Sequence, residues 1–298
     1  MTAKRVLKPV IALVIVILTV GVFGHYLAGH PALLHQVGHT PPLTVLGLLV
    51  LDCLSFSTLI LLMFGTLELY GKRLGWTENL LLNAYSTLAN FFGPGQSGPA
   101  MRGAYLKRRV ELKIKEYAWA SLIYYVCFAA LSGLLVVAGL RPWWQTLIAA
   151  VIAVGAGFAA LLVMRRRKAA FDAKQAERRR AYLIIVLGTM MQVALQVAIF
   201  TTELHSVDRH AAIHQVLVYT GVANFALFAA LTPGAIGIRE SFLVFSKHAH
   251  HLSNNTIVSA NLIDRGAYLL FLGILLILIL SLHARRKLRI KPSAKVPR

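Results

Sequence analysis

Six stretches of the chain stay apolar for about 20 residues or more: 9–28, 43–66, 117–138, 143–164, 181–202 and 256–283. A helix rises about 1.5 Å per residue, so each is long enough to cross a hydrocarbon core roughly 30 Å thick. Two further apolar runs, 79–102 and 211–250, are broken in the middle by "GPGQSGP" and "TPGAIGIRE". The pattern predicts an all-α polytopic membrane protein with six spanning helices and two interrupted ones. The first run follows Lys4, Arg5 and Lys8 without a small-x-small cleavage site, which reads as an uncleaved first helix.

Charge orients these elements. Lys and Arg gather in the N-terminus, at Lys72 and Arg73, across 107–115, across 165–180 and in the tail, whereas the loops 29–42, 139–142 and 203–210 hold only Arg141 and Arg209. That asymmetry places the clusters, and both termini, in the cytoplasm. Trp76 and Trp119 then fall at inner boundaries, and Trp143 and Trp144 at an outer one. Residues 79–102 have basic clusters on both sides, so the segment enters and leaves by one face. Its second arm, 99–106, rises only about 12 Å and is too short to cross. Run 211–250 reads as the same device from the opposite face. A competing arrangement lets 212–231 span and lays 235–250 along the inner surface, which moves the basic tail outside.

In the favoured arrangement, helix, helix, re-entrant hairpin and helix occur twice with opposite orientation. The chain is one membrane domain, 1–298, with repeats 9–138 and 143–283 and a basic cytoplasmic tail, 284–298. Inverted repeats with broken helices are a common transporter plan, with the substrate near mid-membrane. Composition agrees: 57% of residues are hydrophobic, 14% charged, and mean hydropathy is +0.67. The net charge of +20 lies in loop clusters without interleaved aromatics, so nucleic acid is not an expected partner. Cys53 and Cys127 lie in apolar runs and read as buried thiols.

Candidate chemistry sits at the breaks. Each carries Pro-Gly-x-x-Gly followed by arginine: Pro94, Gly95, Gly98 and Arg102 in one, Pro233, Gly234, Gly237 and Arg239 in the other. Gly98 is expected to cap a helix opening at Pro99, with Arg102 in its first turn. A cation there is unfavourable beside the helix dipole unless an anion joins it, and a lipid phosphate suits that position. The alternative is that Arg102 snorkels to the interface with Arg109 and Lys113. Arg239, Glu240, Asp264 and Arg265 sum to zero charge and are read either as a headgroup site or as a network locking hairpin to helix. Asp52, inside the second helix, is the candidate for proton coupling, against a plain hydrogen bond to a neighbouring helix. Asn90 and Asn224 precede the breaks and are expected to cap freed carbonyls. His30, His35 and His39, and His248, His250 and His251, lack metal-ligand spacing. Ser97 in "GQSGP" has no preceding strand and does not make a nucleophile elbow. No catalytic set, cofactor or metal is expected.

The segments "LANFFGPGQSGPAMRGAYLKRR" and "LTPGAIGIRES…LIDRGAYLL" resemble the lysylphosphatidylglycerol synthase transmembrane-region family. That family includes the flippase half of a bifunctional flippase/synthetase and stand-alone proteins of the bacterial inner membrane. The resemblance implies movement or handling of anionic or modified phospholipids, or polyprenyl-linked lipids. It carries over Pro94, Gly95, Gly98, Arg102, Pro233, Gly234, Gly237, Arg239, Glu240 and Arg265. Some relatives accompany glycosyltransferase or hopanoid pathways, which implies, alternatively, an accessory protein with a lipid-biosynthesis enzyme as partner. The chain ends at Arg298 without a soluble aminoacyl-transferase domain, so headgroup synthesis is not expected.

Overall fold

The computed structural model describes residues 40–93, 97–140, 174–228 and 238–288, and every element among them is a helix. In chain order these are α1 (Pro42–Glu68), α2 (Trp76–Phe92), α3 (Ser97–Arg109), α4 (Ile114–Leu140), α5 (Lys174–Val207), α6 (Ile213–Phe228), α7 (Ile238–Phe245), α8 (Lys247–His250) and α9 (Asn254–Leu288). The expected crossings at 9–28 and 143–164 lie outside the described residues. So do Pro94, Gly95, Pro233, Gly234, Gly237, His30, His35, His39, Trp143, Trp144 and most of the tail.

Four helices are long and apolar enough to cross a membrane: Pro42–Glu68, Ile114–Leu140, Arg179–Val207 and Asn254–Leu282. Large apolar side chains such as Leu46, Val50, Leu122, Val126, Leu187 and Ile277 point outward, while Asn79, Asn83, Ser86, Thr189, Glu203 and Asn224 are buried. Apolar outside and polar inside is the arrangement a lipid solvent selects. The chain is a multi-pass membrane protein.

Both interrupted runs fold back on themselves. Glu78 at the start of α2 accepts hydrogen bonds from Tyr105 and, at 2.6 Å, from Arg109 near the end of α3. Ser97 donates across the break to the Ala89 carbonyl at 2.5 Å. Gly98 lies inside α3 and does not cap it: a Cβ there would come within 2.6 Å of the Ser86 carbonyl and 2.8 Å of Asn90 Cβ. The expected cap is thus a close-approach point between antiparallel arms. Arg102 falls in the second turn, one turn later than the sequence suggests.

The second run closes the same way. Gln215, at the start of α6, donates to the His250 carbonyl at 3.0 Å, and the His250 ring packs edge-on against Tyr219 with centroids 5.8 Å apart. The end of the second arm therefore sits beside the start of the first. Asn224 also departs from expectation. Among the described residues it donates to Ser132 on α4 at 3.2 Å and ties helix to helix.

The hydrophobic clusters place the two hairpins. Leu48 of α1 packs with Leu204, Val216, Leu243 and Ile257, around the open end of the α6–α7 hairpin. Met63 and Leu67 of the same helix pack with Leu74, Leu82, Leu106 and Leu112, around the open end of the α2–α3 hairpin. Leu48 and Leu67 stand about 28 Å apart along α1, close to the thickness of a hydrocarbon core. The hairpins thus open at opposite ends of the bundle. The matching helices run in opposite senses too. Leu62, late in α1, and Leu69, just past its end, meet Ala181 and Ile185, early in α5. α4 starts at the α2–α3 end, where Tyr117 packs on the Leu106 cluster, and α9 finishes there, with Ile279 against Leu81.

Candidate functional site

Where the inner ends of the hairpins approach each other, the bundle encloses a cavity of about 320 Å³, within the size range of small-ligand sites. Asn90, Pro99 and Arg102 line it from the first hairpin, and Leu227, Phe228 and Arg239 from the second. α1 contributes Asp52 and Phe56, α5 contributes Gln192 and Gln196, and α9 contributes Asp264, Arg265 and Tyr268. The residues that the sequence singles out at 52, 90, 102, 239, 264 and 265 thus share one cavity.

The two motif arginines differ in their surroundings. Arg239, on the first turn of α7, donates from Nη1 to Asp264 Oδ2 at 2.6 Å and stands 3.8 Å from Glu203 Oε1 through Nη2. Its guanidinium also lies over the Phe200 ring, 4.7 Å from the centroid. It is ion-paired to Asp264 and has a second carboxyl group, Glu203, nearby. Arg102 donates from Nε to Ser86 Oγ at 2.7 Å, and among the described residues no carboxylate lies within ion-pair distance of it. Arg109, by contrast, is bound to Glu78 at the hairpin base.

Arg265 is held by Glu240, whose Oε1 accepts from Nε at 2.8 Å and from Nη2 at 2.5 Å. Glu240 does not line the cavity; it acts on Arg265 from behind. The pairs Arg239–Asp264 and Glu240–Arg265 together clamp α7 onto α9. Such buried pairs are costly to form but more costly to break singly, about 3–5 kcal/mol when one partner is removed. Asp52 is buried and faces Asp264 across the cavity.

Three features escape a reading of hydrophobic runs. Glu203, assigned to an outer loop, is fully buried four residues before the end of α5. Gln192 and Gln196 on α5, and Tyr117, Ser121, Tyr124 and Phe128 on α4, also line the cavity. A signal was available: 192, 196, 199 and 203 on α5, and 117, 121, 124 and 128 on α4, follow the 4-3-4 spacing of one helix face. Polar groups repeated at that spacing inside a spanning run mark an inward face. Other candidates go elsewhere. Ser97 serves as the clasp between hairpin arms. The His250 ring is bonded at both nitrogens, to the Leu243 carbonyl and the Leu252 amide, and among the described residues no group of His, Cys, Asp or Glu is arranged to hold a metal ion.

Comparison with known proteins fits this architecture. No curated protein matches the chain. The model of the lysylphosphatidylglycerol synthase TM region matches residues 6–276, which takes in both hairpins and all four membrane-length helices up to Leu276. The chain belongs to the lysylphosphatidylglycerol synthase transmembrane-region family.

Proposed function

We propose that this protein is a flippase-type lipid transporter of a bacterial inner membrane, which moves anionic or modified phospholipids by lodging the headgroup between the hairpins. The observation that carries the reading is the shared polar cavity, reached by a hairpin from each end of a bundle whose outer surface is apolar. On this reading the hairpins are re-entrant, each dipping from its own leaflet; interrupted backbone at such a depth is tolerable only where it is buried in protein or lines a wet cavity. Arg102 is the headgroup residue. Its guanidinium offers a planar donor fork to phosphate oxygens, with a hydroxyl beside it and, among the described residues, no carboxylate within ion-pair distance. The aromatic lining from Tyr124, Tyr125, Phe128, Phe228 and Tyr268 accommodates the glycerol and upper acyl region. Arg239, Glu240, Asp264 and Arg265 hold the second hairpin in place, so their contribution to the headgroup is positional.

Reconstitution in vesicles containing headgroup-labelled phosphatidylglycerol tests this. The protein should move label between leaflets, and Arg102→Ala should slow it by at least about tenfold, the equivalent of one charge-assisted hydrogen bond near 1.4 kcal/mol. Vesicles with protein that match empty vesicles contradict the transport reading. Label bound but not moved would point instead to an accessory protein that presents lipid to a biosynthetic enzyme.

A further inference from the structure

Glu203 is unlike the other carboxylates of the molecule. It is 0% exposed, and neither oxygen makes a well-formed hydrogen bond among the described residues, although the Tyr219 hydroxyl and the Asp264 carboxyl lie close enough to interact with it. It faces Arg239 from α7 at 3.8 Å, too far for a hydrogen bond, with the Tyr219 hydroxyl of α6 and Asp264 of α9 beside it. Asp52 on α1 lies next in line, opposite Asp264, and the His250 ring flanks Tyr219. Glu203 and Asp264 are thus two carboxyl groups beside one guanidinium, with Asp52 next to Asp264. Burying an uncompensated carboxylate is so unfavourable that the group takes up a proton instead.

Geometry says where the proton goes. Asp264 makes the 2.6 Å contact to Arg239, whereas Glu203 stands 3.8 Å from it. Arg239 keeps Nε and Nη2 without partners, and Nη2 is the atom pointing toward Glu203. Loss of the proton leaves a bare carboxylate one small displacement from an unused guanidinium donor. That would shift the hold on Arg239 from Asp264, on α9, toward Glu203, on α5. Arg239 opens α7, so the hold on the inner end of the second hairpin changes with it. A metal cation is a poorer occupant, because the guanidinium already fills the flank of Glu203.

We propose that Glu203 is a proton-binding site whose protonation resets the Arg239 anchorage of the second hairpin and couples lipid movement to a proton gradient; the coupling half rests on the transport reading above. The step balances simply. A proton from water on one side joins a Glu203 oxygen to give the carboxylic acid, and is returned to water on the other side as the carboxylate re-forms against Arg239.

Two measurements on the full chain separate the halves. In nanodiscs of phosphatidylethanolamine and phosphatidylglycerol at neutral pH, infrared spectra should show a protonated-carboxyl C=O band. Glu203→Gln should remove one component of it, Glu203→Asp should shift that component, and Asp52→Asn should leave that component in place. A wild-type spectrum without the band, a Glu203→Gln spectrum identical to wild type, or a Glu203→Asp spectrum in which no component moves overturns the proton site. In vesicles, a pH gradient should speed wild-type translocation of labelled phosphatidylglycerol about fivefold, at the low end of ordinary coupling. Glu203→Gln should keep the gradient-free rate and lose the response. An unaltered response in Glu203→Gln, or acceleration by a sodium gradient in place of the pH gradient, overturns the coupling. Vesicles that move no lipid under any gradient overturn the transport reading, while the infrared band still decides the proton site.

Discussion

Arg102 and Arg239 occupy matching places in a repeated motif, yet one stands beside a hydroxyl and the other between two carboxylates. The motif made both legible as cations near a break. Their difference depends on Asp264 and Glu203, which are 25 and 36 residues from Arg239 along the chain and reach it only by packing. The two positions should accordingly fail in different ways. Arg102→Ala should lose transport with little change in thermal stability, because no buried charge is stranded. Asp264→Ala should destabilise the protein by about 3–5 kcal/mol, since it breaks one side of a buried pair. A melting series in detergent or nanodiscs, read with the vesicle assay, separates the two effects. Equal melting points for both variants would contradict the assignment of roles. Glu203 shows where run-counting goes astray. A charged residue near the end of an apolar stretch was assigned to the loop, although its spacing from Gln192 and Gln196 already placed it on the inward face.

Among the elements, the hairpins were the most legible, because glycine and proline in mid-run allow few other structures. What the runs could not convey is how the arms are pinned. Gly221 of α6 is one such point: a Cβ there would fall 2.6 Å from the Ser132 carbonyl and 2.5 Å from Val136 Cγ2 on α4. Gly221→Val should cost about 1–3 kcal/mol by overpacking, and more where backbone must move. Unchanged melting would show that α4 and α6 are not in contact there. The α8 turn, outside the four membrane-length helices, adds a pH-dependent element. His250 Nε2 is bound to the Leu243 carbonyl and must carry the hydrogen, while Nδ1 accepts from the Leu252 amide. That arrangement needs the neutral ring, and burial, helped by His251, holds its pKa below the usual histidine value. A depressed histidine pKa favours the folded state above the unfolded value near 6.5, and the advantage fades as pH falls below it. Hydrogen exchange at the amides of 247–253 should therefore be faster at about pH 5.5 than at about pH 7.5 once intrinsic rates are corrected. Equal protection at both would show that the ring plays no such part.

Across the whole molecule, the functional reading depends on orientation. Each hairpin opens and closes at one end of the bundle, and the two ends are opposite. The basic clusters gave an expectation for the first run, since positive charge on both flanks of a run disfavours a crossing. They could not foretell that the inner ends would converge on one cavity, since convergence is a property of how α1, α5 and α9 pack between the hairpins. Without that convergence there is no headgroup site and no proton-sensitive anchor on the second hairpin. Labelling single cysteines with a membrane-impermeant reagent, in a Cys53→Ser, Cys127→Ser background, measures it most directly. Lys72→Cys and Lys113→Cys flank the first hairpin, and Arg209→Cys and His251→Cys flank the second. The account predicts that the first pair reacts from one face and the second pair from the other. Members of either pair reacting from different faces would show that hairpin to be a spanning segment, and would contradict the account.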